Sequence, residues 1–317
     1  MTYAALRHSF AALLLGVSFA QPALAAALSA PRTASVAVAD NPAAHPSFTV
    51  RVVGKGRPVL LIPGLTCPGA VWDETVARYQ GRYQCHVLSL AGFGGTAPAA
   101  GAPTADFLPA VREQLLTYIK TQKLDRPAVI GHSLGGFMGL WLSTTQPDAV
   151  GPLLILDSLP FLAAVQNPAL TAEAARPMAA GMRQQMGAGK LPLAQQRQMV
   201  TTMVTDTAHQ ALVTRWGQAS NPASVAQAMY ELYTTDLRAD LGAVRQPALV
   251  LGTWAAYQPY GATLASTKGI FEAQYAKLPQ HRIEMSQAGK HFVMYDDRDW
   301  FFQQADAFLQ ANYAAKK

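Results

Sequence analysis

Gly131-His132-Ser133-Leu134-Gly135 sets one serine between two glycines, each two residues away, with a third glycine at 136. The letters before it, RPAVI, read as a buried strand, and those after it, FMGLWLSTTQ, as a helix. A serine between strand and helix sits on a sharp turn. Side chains at both flanking positions would collide with neighbouring elements, and glycine removes the clash. The hydroxyl then stands at the C-terminal edge of the sheet. Beside it, the free N–H groups of the helix N-terminus favour a developing negative charge. Such a serine can attack an acyl carbon while backbone donors hold the oxyanion. The five-letter pattern alone is common; its strand-turn-helix setting makes it specific.

A serine hydroxyl is a weak nucleophile at neutral pH and needs a base. His291 lies in a glycine-containing loop, QAGKHF, after the last strand-like run. The other histidines have plainer settings. His281 starts that last run, His209 lies among helical letters, His86 is inside a strand, His132 precedes the serine and points away from it, and His45 is in an N-terminal tether. The sequence holds no phosphate loop, no metal-ligand cluster and no dinucleotide fingerprint, since GFGG at 92–95 is not G-x-G-x-x-G. No cofactor and no metal are expected.

Positioning these groups requires a scaffold. SFTVRVVG alternates, PVLLIPG and QCHVLSLAG are short buried strands, and AVWDETVARYQ between them has helical spacing. TADFLPAVREQLLTYIKTQ reads as a helix opened by a Thr104 cap. RPAVIGH, PLLILD, QPALVLG and HRIEMS are further strands, and RDWFFQQADAFLQANY closes the chain as a helix. Strands alternating with helices predict an α/β fold, a mostly parallel sheet with helices on both faces. The rhythm breaks over 158–243, which carries helical spacing, many Met and Ala, and no convincing strand. That length exceeds a loop and predicts an inserted helical cap.

With LIPGLTCPGAVW, LAGFGGT, GHSLGG, LLILDS and GKHFVMYDDRDWF in this order, the chain resembles the α/β-hydrolase superfamily over roughly 47–157 and 244–317. The resemblance implies Ser133 as nucleophile, His291 as base and a cap over the site. It implies an oxyanion hole built from the N–H groups of Leu134 and Leu65, with Thr66 as a substitute donor. Two positions depart from the family. Pro63-Gly64 stands where His-Gly is frequent, and Ser89 where an Asp is common. The third departure concerns the acid that orients His291. Its usual loop, after the penultimate strand, reads LVLGTWAAYQPYGATLAS and has no Asp or Glu. The superfamily's other location is the end of the preceding strand, where this chain has Asp157. Asp236, Glu272, Asp296 and Asp297 are the rivals, and a dyad without an acid is a further alternative.

The 317 residues are half hydrophobic and only 14% charged, and no apolar run of about 18 residues follows residue 30. Stable membrane insertion is therefore not expected. Arg7, the apolar stretch from Phe10 to Ala20 and Ala23-Leu24-Ala25 fit a secretory signal peptide over 1–25. A periplasmic or secreted mature protein follows, with a tether at 26–46 in which SVAVA could add an edge strand. The net charge of +6 has no basic run or aromatic platform behind it, which argues against nucleic acid as partner. Cys67 and Cys85 fall at opposite ends of neighbouring parallel strands, too far apart for a disulfide, with Cys67 expected on the pocket wall. Together these features predict a serine hydrolase cleaving carboxylic esters of small to medium substrates through an acyl-enzyme. Amidase, lactonase, thioesterase and acyltransferase use the same groups, and a catalytically silent ligand-binding protein could share the fold. The expected partner is a small-molecule ester or amide.

Overall fold

Residues 44–98, 106–165 and 167–314 are described by a computed structural model. The leader, the SVAVA run and Thr104 lie outside them. The elements are β1 (Phe48–Val53), β2 (Arg57–Ile62), α1 (Asp73–Tyr79), β3 (Tyr83–Leu90), α2 (Phe107–Thr121), β4 (Ala128–His132), α3 (Leu134–Thr145) and β5 (Leu153–Leu156). Next come α4 (Ala172–Gly187), α5 (Leu193–Thr201), α6 (Thr207–Ala219) and α7 (Pro222–Thr234). The chain then returns through β6 (Ala248–Gly252), α8 (Leu264–Tyr275), β7 (His281–Met285), α9 (Val293–Asp296) and α10 (Arg298–Asn312).

Strand chemistry explains why the sheet is covered twice. In β2, Leu60 and Ile62 enter one hydrophobic cluster while Val59 and Leu61 enter the other. β5 repeats this, with Leu153 and Ile155 on one side and Leu154 and Leu156 on the other. A strand apolar at every position needs helices on both faces. Val111 and Leu115 of α2, Phe137 and Leu140 of α3, and Phe271 of α8 fill the first cluster. Val76 and Tyr79 of α1 and Phe301, Phe302 and Phe308 of α10 fill the second.

The seven strands run in the order β1-β3-β2-β4-β5-β6-β7, with β1 antiparallel to β3 and every other pair parallel. The C-terminal ends of β2, β4, β5, β6 and β7 therefore share one edge, where a parallel sheet offers a crevice for ligands. Pro63, Ser133, Asp157, Thr253 and the loop carrying His291 all follow those ends.

The helices between β5 and β6 are tied to the core by specific polar bonds. The buried carboxylate of Glu231, on α7, accepts the N–H groups of Phe107 and Leu108 at 2.8 and 2.6 Å. A side chain from another element thus satisfies the orphan donors at the start of α2. That start differs from the sequence expectation: Asp106, in a left-handed conformation, precedes the helix and gives it no side-chain cap. The GFGG loop is the second anchor. Gly92 accepts the Asn221 N–H at 2.7 Å, and the Gly94 N–H donates to Ser220 at 2.9 Å. A Cβ on Gly92 would fall on Ser224, so glycine permits the close approach of α7.

Cys67 and Cys85 are both free and fully buried. Cys67 belongs to the core cluster with Val71 and Trp72 rather than to the cavity wall, because the chain after Pro63 turns down onto the α1 side of the sheet. Burial pushes both thiols up to about 12, which removes either as a ready nucleophile.

Buried neutral histidines give the fold a pH signature. His86 donates Nε2–H to Gln84 and accepts from the Tyr118 hydroxyl, and burial pushes its imidazole down to about 4. His132 is also held neutral by burial. Below about pH 6.5 the unfolded chain takes up these protons while the folded chain refuses them, so stability falls as pH drops from about 6.5 towards 4. Denaturant unfolding at stepped pH is expected to show this loss. His86→Gln should flatten it by up to about 1.4 kcal/mol per pH unit; an unchanged slope would remove His86 as a source.

Candidate active site

Ser133 has φ 52° and ψ −118°, a conformation that non-glycine residues rarely adopt. Its surroundings hold it there. The Ser133 N–H donates to Leu156 at 2.8 Å, and its carbonyl accepts from Gly136 and Phe137 at 2.9 and 3.1 Å. The three glycines are sterically required. A Cβ on Gly131 would overlap the Gly135 backbone, and one on Gly135 would overlap the Ile62 carbonyl. One on Gly136 would stand 2.7 Å from Ser158 Cβ and 2.9 Å from Ile155. The turn is therefore locked between the ends of β2 and β5, and the strain at Ser133 is maintained by packing.

The same packing sets the backbone donors. Gly64 lies against the turn, where a Cβ would come 3.3 Å from Ser133 Cβ and 2.8 Å from His132 Nδ1. The Pro63–Leu65 segment thus passes directly beside the serine. Neither the Leu65 nor the Leu134 N–H has a hydrogen-bond partner among the described residues. Ser89, at the position where an Asp is common, accepts the Gly69 N–H at 2.8 Å and so steadies the start of the neighbouring turn.

His291 and Ser133 line one cavity of about 100 Å³. The His291 Nδ1–H donates to Asp157 Oδ2 at 2.7 Å, which leaves Nε2 as the atom available to the serine. The other oxygen of Asp157 accepts the Thr253 N–H at 3.0 Å. Asp157 itself has φ 43°, with its N–H bonded to Leu251 at 2.8 Å, so the end of β5 aims the carboxylate across the sheet edge. The rival acids are engaged elsewhere. Asp236 pairs with Arg238 at 2.7 Å, and Glu272 pairs with Lys268 on the exposed face of α8. Asp296 accepts from Thr205 and Lys290, and Asp297 from Ser286.

His132 is the participant that sequence reasoning set aside. Its ring stands 4.6 Å from the His291 ring, and Nε2–H donates to the His291 carbonyl at 2.9 Å. Burial, with the neighbouring His291 adding to it, holds His132 well below the usual imidazole range, and so it remains a neutral donor. The turn that carries the serine is thereby bonded to the loop that carries the base. The signal was present as the letter before Ser133, but its partner lies 159 residues away. The remaining described histidines are structural. His209 stacks on Tyr295 at 4.0 Å, His281 bonds the Leu278 carbonyl, and His45 is buried against Phe48.

Ser133, His291 and Asp157 with the two free N–H groups can carry out acyl transfer. Among the described residues no cluster of metal-ligating side chains accompanies them. The model of the alpha/beta hydrolase family matches residues 59–304. A pimeloyl-[acyl-carrier protein] methyl ester esterase from Aliivibrio salmonicida is 32% identical over 111 residues, which is 35% of this chain and 40% of that relative. Its counterpart from Nitrosomonas europaea is 26% identical over 219 residues, 65% of this chain and 79% of the relative. The chain thus matches less than half the length of the first of these. The enol-lactonase from Burkholderia xenovorans LB400 shares the fold with a TM-score of 0.66 at 18% identity, over 83% of this chain and 96% of its own.

The geometry sets a test that needs no substrate. Asp157→Asn keeps the shape but can favour the wrong His291 tautomer. Labelling of Ser133 by a fluorophosphonate is expected to slow about a thousandfold or more, as for triad acids elsewhere. Asp236→Asn and Glu272→Gln should label within about threefold of wild type, since neither touches His291. The reverse pattern would assign the acid to another residue.

Proposed function

This chain belongs to the alpha/beta hydrolase family, and on that premise we propose that it is a serine hydrolase cleaving carboxylic esters of small substrates through an acyl-enzyme. The observation that carries this reading is the 2.7 Å bond from His291 Nδ1 to Asp157, beside a serine held at φ 52° in the same cavity.

The reaction follows from these groups. Ser133 Oγ attacks the ester carbon and its proton passes to His291 Nε2. Asp157 holds the tautomer and stabilises the imidazolium. The carbonyl oxygen gathers negative charge and is held by the Leu134 and Leu65 N–H groups. Collapse expels the alcohol, which takes the proton from His291 and leaves the acyl group on Ser133. A water then enters, gives its proton to His291 and attacks the acyl carbon. A second collapse frees the acid and returns the proton to Ser133.

The size of the cavity supports a small acyl group. A space of about 150 Å³ is enough for a benzene ring, and this cavity is about 100 Å³. Leu159, Leu162, Val165 and Leu232 line it, and all four come from residues 158–243. We read that segment as a lid whose apolar side chains select the acyl chain. The leader-like residues 1–25, with Arg7, the stretch from Phe10 to Ala20 and Ala23-Leu24-Ala25, support cleavage after Ala25 and a periplasmic or secreted enzyme. No helix among the described residues is long and apolar enough to cross a membrane.

A series of nitrophenyl esters is the test. The acetate to pentanoate members are expected to turn over at least about tenfold faster, in kcat/KM, than the dodecanoate. Ser133→Ala should lower turnover by about three orders of magnitude or more in a folded sample. Wild-type turnover in Ser133→Ala would end this reading. Equal rates across the series would end the size argument alone.

A further inference from the structure

Two residues that line the cavity carry hydroxyls to which the other described residues make no hydrogen bond. Thr253 and Thr267 both line the cavity, are only 1% and 2% exposed, and present side-chain oxygens with no hydrogen-bond partner among the described residues. They reach it from different elements. Thr253 follows β6 and is fixed by its N–H bond to Asp157. Thr267 lies on α8, where Thr267, Ile270 and Phe271 form one stripe at helical spacing facing the cavity. Ser158, buried beside the triad acid, adds a third hydroxyl to the same wall. A buried hydroxyl is normally hydrogen-bonded. Two without partners among the described residues, on side chains that line one space, point to a partner in what occupies that space.

The charge of that occupant is also constrained. Among the described residues no Lys or Arg lines the cavity, and its acid, Asp157, is bonded to His291 and Thr253. An anionic group there would be desolvated without a counter-charge. The cavity beside Ser133 suits the part of the substrate that stays bonded to that residue, since the alcohol must leave for water. We propose that the acyl group is short and uncharged and carries a hydroxyl or keto oxygen that hydrogen-bonds to Thr253 and Thr267. This rests on the ester-hydrolase reading above.

The test compares phenyl esters that exchange an oxygen for a group of similar shape, using the full chain. One pair is 3-hydroxybutanoate, each enantiomer, against 3-methylbutanoate. The other is 4-oxopentanoate against 4-methylpentanoate. Nitrophenyl acetate turnover that depends on Ser133 is the control, and its absence would overturn the hydrolase reading and this one with it. With the control intact, at least one oxygenated member is expected to be preferred about tenfold in kcat/KM, the discrimination one buried hydrogen bond can supply. Thr267→Val and Thr253→Val should bring the ratio to about one, and Thr267→Ser should keep it. Any preference above about threefold that collapses in either valine variant supports the proposal. Preferences of about threefold or less in both pairs overturn it, as does a preference that both valine variants leave unchanged. Should a valine variant fail to fold, the wild-type ratios and the other variant decide. A preference found only when the oxygen is in the alcohol part, as in 3-hydroxybutyl against 3-methylbutyl acetate, overturns the assignment to the acyl group.

Discussion

The site depends on one steric constraint, the contact of the turn at Ser133 with the strand ends on either side. Gly135 sits against the Ile62 carbonyl and Gly136 against Ile155 and Ser158, with no room for a Cβ at either place. That contact forces a positive φ on a serine, a conformation its own propensity disfavours. It also brings the Pro63–Leu65 segment beside the hydroxyl. The position of the nucleophile and the availability of the N–H donors are thus two results of one packing event, paid for by the core beneath.

A second layer holds the base. His291 is bonded at both ends: its ring to Asp157 and its carbonyl to His132. Asp157 is in turn fixed by the Thr253 N–H and by the backbone ladder to Leu251. Three strand ends, those of β4, β5 and β6, therefore converge on one histidine, β4 through its carbonyl and β5 through its ring. Its orientation is set by residues fixed to the sheet backbone rather than by loop side chains alone.

Much of this was legible in the letters. The continuous apolar strands fixed a sheet covered on both faces, and the glycines around Ser133 marked the turn. Asp157 came from the resemblance: the usual loop has no Asp or Glu, and Asp157 stands at the superfamily's other location for the acid. What was not legible has a common cause: the partners are distant in sequence and carry no pattern of their own. Glu231 serves the start of α2 from 124 residues away, where a local Thr104 cap was the natural expectation. His132 serves His291 across 159 residues. Cys67 was assigned to the wall because it follows a strand end, but the direction of the chain after Pro63 is a tertiary matter and took it into the core.

Placing the acid at the end of β5 frees another part of the chain. The segment from Trp254 to Thr263 contains no carboxylate, yet it runs beside the cavity through Tyr257. In an arrangement with the acid on this segment, any insertion or deletion would risk displacing it. Here the triad acid sits at the end of β5 and accepts the N–H of Thr253, which immediately precedes this segment. A change of length in this segment therefore does not itself move the carboxylate, which is held by β5. This gives evolution, or a designer grafting loops between homologues, a site where substrate preference can drift with little penalty to turnover.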